Sequence, residues 1–127
     1  MNKVVLDASA LLALLNEEPG SEEVDQTIPG AAISAVNLSE VISKFNERGM
    51  TEKVVRSTLE DIQIDVYPFD RESAYKAGAL RMATKGLGLS FGDRACLSLG
   101  WQLQRPVLTT DRFWRDLEVG IEIRIIR

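Results

Sequence analysis

The sequence predicts an α/β fold: a three-layer α/β/α sandwich on a mainly parallel sheet of about five strands, in a single domain over residues 1–127. Three observations predict it. Short segments rich in Val, Ile and Leu alternate with longer segments of helical periodicity. Such strands read as buried on both sides, because right-handed crossover connections lay helices on both faces of a parallel sheet. Finally, 127 residues, 45% hydrophobic and 27% charged, suffice for one buried core and leave no room for a second domain.

Lys3 to Leu6 (KVVL) is short, apolar and β-branched, a first strand, and Ala8 to Leu15 (ASALLALL) is a helical apolar run ending before Pro19-Gly20. Asp7 stands at the junction. Ala31 to Ser34 (AAIS) is the second strand. In the helix predicted over Asn37 to Arg48, Leu38, Val41, Ile42 and Phe45 recur at helical spacing, and Gly49 is a natural stop. Thr51 caps a helix reaching Asp61, and Ile64 to Tyr67 (IDVY) forms a third strand that ends at Pro68. Asp70 caps the next helix, which runs to about Thr84. Lys85 to Gly92 (KGLGLSFG) carries three glycines and reads as an irregular, mobile connection. Asp93 to Gln104 is helical, Pro106 to Thr109 (PVLT) a fourth strand, Asp111 to Leu117 a short helix, and Ile121 to Ile126 a last strand. The predicted order is β-α-β-α-α-β-α-α-β-α-β, without repeat, low-complexity tract or linker.

Composition removes several chemistries. Histidine is absent, which excludes Ser-His-Asp and Cys-His catalysis, His-ligated zinc and any imidazole acid or base. The single cysteine, Cys96, cannot form an internal disulfide or a thiolate cluster, and between Ala95 and Leu97 it reads as a small buried residue. No apolar stretch approaches a spanning helix, and Asp7 interrupts the apolar opening Met1 to Leu15, so a cytoplasmic protein without membrane association is expected. Net charge is −4, with seven acids and one base in residues 1–43 against twelve acids and fourteen bases in residues 44–127. An acidic total disfavours nucleic-acid binding, unless a metal cluster reverses the sign locally.

Four carboxylates fall where a strand gives way to a helix or a helix begins: Asp7 (VVLDAS), Glu40 (SAVNLSE), Asp93 (LSFGDRA) and Asp111 (VLTTD). Each has a plainer account. Asp7 and Asp111 would serve as N-caps, Glu40 would close a capping box with Asn37, and Asp93 one with Ser90. In an open parallel sheet, however, ligands bind beyond the carboxyl ends of the strands, and these four acids would gather on that rim. Bare carboxylates so close raise one another's pKa and call for a cation. Mg²⁺ or Mn²⁺, which take oxygen ligands and keep several waters, match a site without His or Cys. Such an ion activates water and stabilises phosphodiester hydrolysis.

The pieces VVLDASALLALL, ISAVNLSEVISK, GLSFGDRACLSLG and VLTTDRFW, in that order over nearly the full chain, resemble the PIN-domain nucleases, and within them the toxins of VapBC toxin–antitoxin systems. The resemblance implies a Mg²⁺- or Mn²⁺-dependent endoribonuclease with Asp7, Glu40, Asp93 and Asp111 as catalytic residues. Asp7 and Asp93 would ligate the metal, Glu40 would orient or deprotonate the attacking water, and Asp111 would complete the acidic cluster directly or through water. Ser9 and Thr109 match positions that support this shell by hydrogen bonds, or else cap the backbone locally. An RNA substrate and a cognate VapB-like antitoxin laid across the cleft are further implications.

Other residues take plainer readings. Asp70 is a cap; Trp101 and Trp114 belong to core or interface. Arg94, Arg112 and Arg115 either hold RNA phosphates or form a solvated face. Because an acidic nuclease needs help to hold RNA, a homodimer pooling basic residues is expected. The apolar helices near Leu11 to Leu15 and Val41 to Phe45 would contribute to its interface or, more simply, to the core. Two other functions fit acids at strand ends: a phosphoacceptor receiver domain that binds Mg²⁺, and a non-catalytic interaction module whose acids only cap helices. The first lacks a second acid beside Asp7, and the last strand, IEIRIIR, is followed by no Lys.

Overall fold

Strands β1 (Val5–Leu6), β2 (Ala32–Ser34), β3 (Asp65–Tyr67), β4 (Val107–Thr109) and β5 (Ile123–Ile125) pair in the order β3-β2-β1-β4-β5. Every pairing is parallel, so the sheet is wholly and not only mainly parallel. The computed structural model describes residues 3–127; Met1 and Asn2, which open the apolar stretch considered above, lie outside the described residues.

Six helices connect the strands: α1 (Ala8–Leu15), α2 (Ser21–Asp25), α3 (Ala35–Glu47), α4 (Glu52–Glu60), α5 (Arg71–Ala83) and α6 (Phe91–Leu103), with a 3-10 helix at Arg112–Asp116. The predicted strands and long helices are all present. Helix α2 is the addition, a five-residue segment whose single buried residue, Val24, leaves no periodicity to detect. Two helices begin two residues earlier than their apolar patterns, because the caps are Ser34 for α3 and Ser90 for α6. Asp70 and Thr51 cap α5 and α4 as expected.

Alternation along the strands sends successive side chains to opposite faces and divides the interior in two. Val4, Leu6, Ile33 and Leu108 face α1 to α4 and pack with Leu11, Val24, Val41, Phe45 and Val55. Val5, Ala32 and Val107 face α5 and α6 and pack with Leu80, Cys96, Leu97, Leu99 and Trp114. Leu11, Val41, Phe45, Cys96 and Trp114 are thus core residues. Gly100 lets α6 lie against β4, since a Cβ there would stand 2.5 Å from Val107 Cγ2. Among the described residues no helix is long and apolar enough to cross a membrane.

The chain leaves β1 for β2 on one side, whereas β4 adds on the other. The strand order therefore reverses at β1, and the crevice beyond its carboxyl end is where ligands bind in such sheets. Asp7 is the first residue beyond that end.

Candidate metal centre

Asp7 occupies the N-cap position of α1, yet its carboxylate makes no capping hydrogen bond. Instead Oδ2 accepts from Ser9 Oγ at 2.8 Å and from Thr109 Oγ1 at 2.9 Å. Both hydroxyls are held by the chain after β4. The Thr110 amide donates to Ser9 Oγ at 3.0 Å, and the Asp111 amide donates to Thr109 Oγ1 at 3.0 Å. Asp7 is only 7% exposed. Burial pushes its pKa up from 3.8 to about 6; the Asp93 charge adds to the rise, while the Ser9 and Thr109 hydroxyls oppose it. Among the described residues no Lys or Arg forms an ion pair with it.

Glu40 lies on the first half of α3, facing α6. Asn37, fully buried one turn earlier, donates through Nδ2 both to Glu40 Oε1 at 2.8 Å and to the Gly92 carbonyl at 3.0 Å. Asn37 therefore ties α3 to α6 and aims Glu40; it does not cap α3, a role taken by Ser34, whose Oγ accepts from the Val36 amide at 3.1 Å. A Cβ on Gly92 would collide with the Glu40 carboxylate, so that carboxylate rests against bare backbone next to Asp93. A cavity of about 650 Å³ opens here, lined by Ser39, Glu40, Ser90, Phe91 and Gly92 among others.

Asp93 closes the capping box with Ser90 that the sequence allows: Oδ2 accepts from the Ser90 amide at 2.9 Å, and Ser90 Oγ accepts from the Asp93 amide at 3.1 Å. Asp111 caps the 3-10 helix, its Oδ1 accepting from the Phe113 amide at 3.0 Å.

Three of the predicted acids, Asp7, Asp93 and Glu40, each lie close enough to α6 for their charges to act on Cys96. The buried Cys96 thiol is pushed well above its usual range, first by burial and then by the charges of Asp7, Asp93 and Glu40. Asp111 connects to Asp7 through the Thr109 hydroxyl, and its charge is not among those that shift Asp7. Among the described residues no three Asp, Glu or Cys side chains form a ready ligand set for an ion. The donor chemistry still fits a hard divalent cation, which is commonly held by one or two carboxylates and completes its shell with water. Asp7, buried, anionic and without a basic partner, is the group whose charge such a cation would offset.

Asn37 and Gly92 are the contributors that sequence reasoning placed elsewhere, as a cap and as part of a mobile connection. The signal was the Asn-x-x-Glu spacing within one helix, which pairs side chains on a shared face. Of the arginines near the site, Arg94 donates to the Ala77 carbonyl at 3.0 Å and Arg112 to the Arg127 carbonyl at 3.0 Å.

The PIN domain family model matches residues 4–119. The chain belongs to the PIN-domain family. Among solved structures of this fold, DNA-bound VapBC from Salmonella typhimurium is 21% identical, with 98% of each chain covered and a TM-score of 0.76. A toxin–antitoxin complex from Klebsiella pneumoniae is 18% identical, covering 95% of this chain and 100% of that one, with a TM-score of 0.74. The sarcin–ricin-loop-cleaving toxin VapC20 of Mycobacterium tuberculosis is 15% identical, covering 94% of this chain and 99% of that one, with a TM-score of 0.73. At these identities the PIN likeness is one of fold. Comparison with curated proteins finds no match.

Proposed function

We propose that this PIN domain is a Mg²⁺- or Mn²⁺-dependent endoribonuclease, the toxin of a toxin–antitoxin pair. The observation that carries the reading is a buried carboxylate, Asp7, at the switch point of the sheet, held by two hydroxyls, facing Asp93 and lacking any basic partner. A protein retains such an uncompensated charge where a cation is to be bound.

Asp7 and Asp93 would hold the ion. When bound, it supplies Lewis-acid polarisation of a phosphodiester oxygen and lowers the pKa of water. Glu40, steadied by Asn37, accepts the proton of the attacking water. Ser9 and Thr109 fix the Asp7 carboxylate, so that little reorganisation is needed when substrate arrives. Asp111 positions Thr109 through its backbone amide and adds negative charge at the outer edge of the site.

The test is cleavage of a structured RNA by the purified chain with Mn²⁺ or Mg²⁺, beside a folded Asp7→Asn variant. Metal-dependent cutting by the first and none by the second is expected. Equal inactivity of both overturns the reading. The VapBC and toxin–antitoxin descriptions of the fold relatives support a partner antitoxin for this chain as well; the net charge of −4 is the ground for a homodimer that pools basic residues beside two sites. Co-expression with a pull-down tests the first; sedimentation showing only monomers at micromolar concentration removes the second.

A further inference from the structure

Behind the acidic cleft, the end of α5, the loop after it and the start of α6 enclose a cavity of about 420 Å³. Arg81, Lys85, Gly86, Gly88 and Arg94 line it, and no acid does. In a chain of net charge −4, three cations converging without a carboxylate run against the overall composition. Among the described residues none of the three is ion-paired.

Arg94 spends one donor on the Ala77 carbonyl, while its Nε is buried without a partner among the described residues. A buried donor left unmet is unfavourable, and a guanidinium is shaped to grip an oxyanion. Gly86 and Gly88 adopt φ of 87° and 73°, with open space where a side chain would stand. The loop thus offers bare backbone to a ligand, as phosphate-binding turns do.

Position says which anion. Arg94 follows Asp93 directly, and successive helix residues diverge by about 100°. Asp93 turns toward Ser90 and the acids, whereas Arg94 crosses to α5. The segment from Gly88 to Gly92 separates this cavity from the one at Glu40. A strand leaving the acidic cleft over that segment would lay its next phosphates onto Arg81, Lys85 and Arg94.

We propose that this cavity binds a phosphate group, specifically a backbone phosphate of the RNA strand whose scissile bond lies at Asp7 and Asp93; the RNA assignment rests on the nuclease reading. It is tested on the full chain with the double variant Arg81→Gln/Lys85→Gln, both positions being exposed. Inorganic phosphate is titrated while the amides of Gly86 and Gly88 and the Arg94 Nε–H are followed by NMR. Saturable shifts are expected, and their loss in the double variant. Single-stranded RNA is then bound to Asp7→Asn protein with and without the two changes. Affinity is expected to fall about tenfold, and the slope of log K against log salt to flatten by about 0.7 for each phosphate lost.

Absent phosphate shifts, or shifts the double variant leaves intact, overturn the site. Phosphate shifts with an unaltered RNA salt slope overturn its assignment to RNA and leave a free-anion site. Shifts with an acidic peptide but none with phosphate overturn it in favour of a protein partner. Failure of wild-type protein to cut RNA with Mn²⁺ would sink the nuclease reading alone, since the phosphate titration needs no catalysis.

Discussion

The Thr109 hydroxyl donates to Asp7 Oδ2 at 2.9 Å across 102 positions of sequence. It can do so because β1 and β4 are parallel neighbours paired at Leu6 and Leu108, which brings the residues just beyond each strand side by side. The same hydroxyl accepts from the Asp111 amide, so its donor and acceptor capacity are both in use. Asp7 is thereby clamped by backbone from the other half of the molecule.

The charge of Asp7 makes the metal-free protein pH-sensitive. Because the folded state binds this proton more tightly than the unfolded chain, the contribution of Asp7 to stability is fully present below about pH 4 and is lost as pH rises through about 6. A gap of about two units corresponds to about 3 kcal/mol. Urea unfolding in EDTA should show Asp7→Asn matching wild type at pH 4 and exceeding it at pH 7. Added Mn²⁺ should then raise the wild-type midpoint at pH 7 and leave the variant unmoved. A wild type with a flat profile across this window would mean that Asp7 is compensated by another group.

Asp93 has a capping task and a proposed metal task, which Asp93→Asn separates. Asn still accepts from the Ser90 amide, so thermal stability should change by no more than about 0.5 kcal/mol. Mn²⁺ affinity by calorimetry should fall at least tenfold. Unchanged affinity would leave Asp93 as a cap only.

Gly92→Ala places a methyl where the Glu40 carboxylate now lies. Because the displaced atoms are the end of a flexible side chain, the melting temperature should shift by only a few degrees. RNA cleavage should fall by about 10²-fold, the scale of a misplaced catalytic base. Full activity in this variant would exclude Glu40 from the reaction.

Thr109→Val keeps the shape and removes the hydroxyl from beneath Asp7 and from the Asp111 amide. With buried groups left unmet, a loss of about 1–3 kcal/mol is expected in denaturant titration. Mn²⁺ affinity should weaken in parallel, whereas Thr109→Ser should restore most of both. Failure of Ser to rescue would point to packing of the methyl and not to the hydrogen bond.

The contrast between Asp7 and Asn37 shows how far the site was legible in the chain. Asp7 follows an apolar strand and precedes an apolar helix, and that position at a strand end is a property of local pattern. Asn37 and Gly92 matter because α3 and α6 touch, 55 residues apart, and no local pattern encodes that contact. Helix α2 is not legible in the chain for a different reason: five residues with one buried Val carry too little periodicity.

Amino-acid order alone determined the alternation of strand and helix, the exclusion of imidazole and thiol chemistry, and the positions of the acids, because hydrophobic period and residue chemistry are local quantities. Only the tertiary structure decided that the Asp7 carboxylate does not cap its helix and binds two hydroxyls instead, that Asp93 and Asp111 do cap theirs, and that Asn37 aims Glu40. Those outcomes depend on which strands become neighbours, and strand pairing is settled by burial across the whole sheet rather than by any stretch of chain.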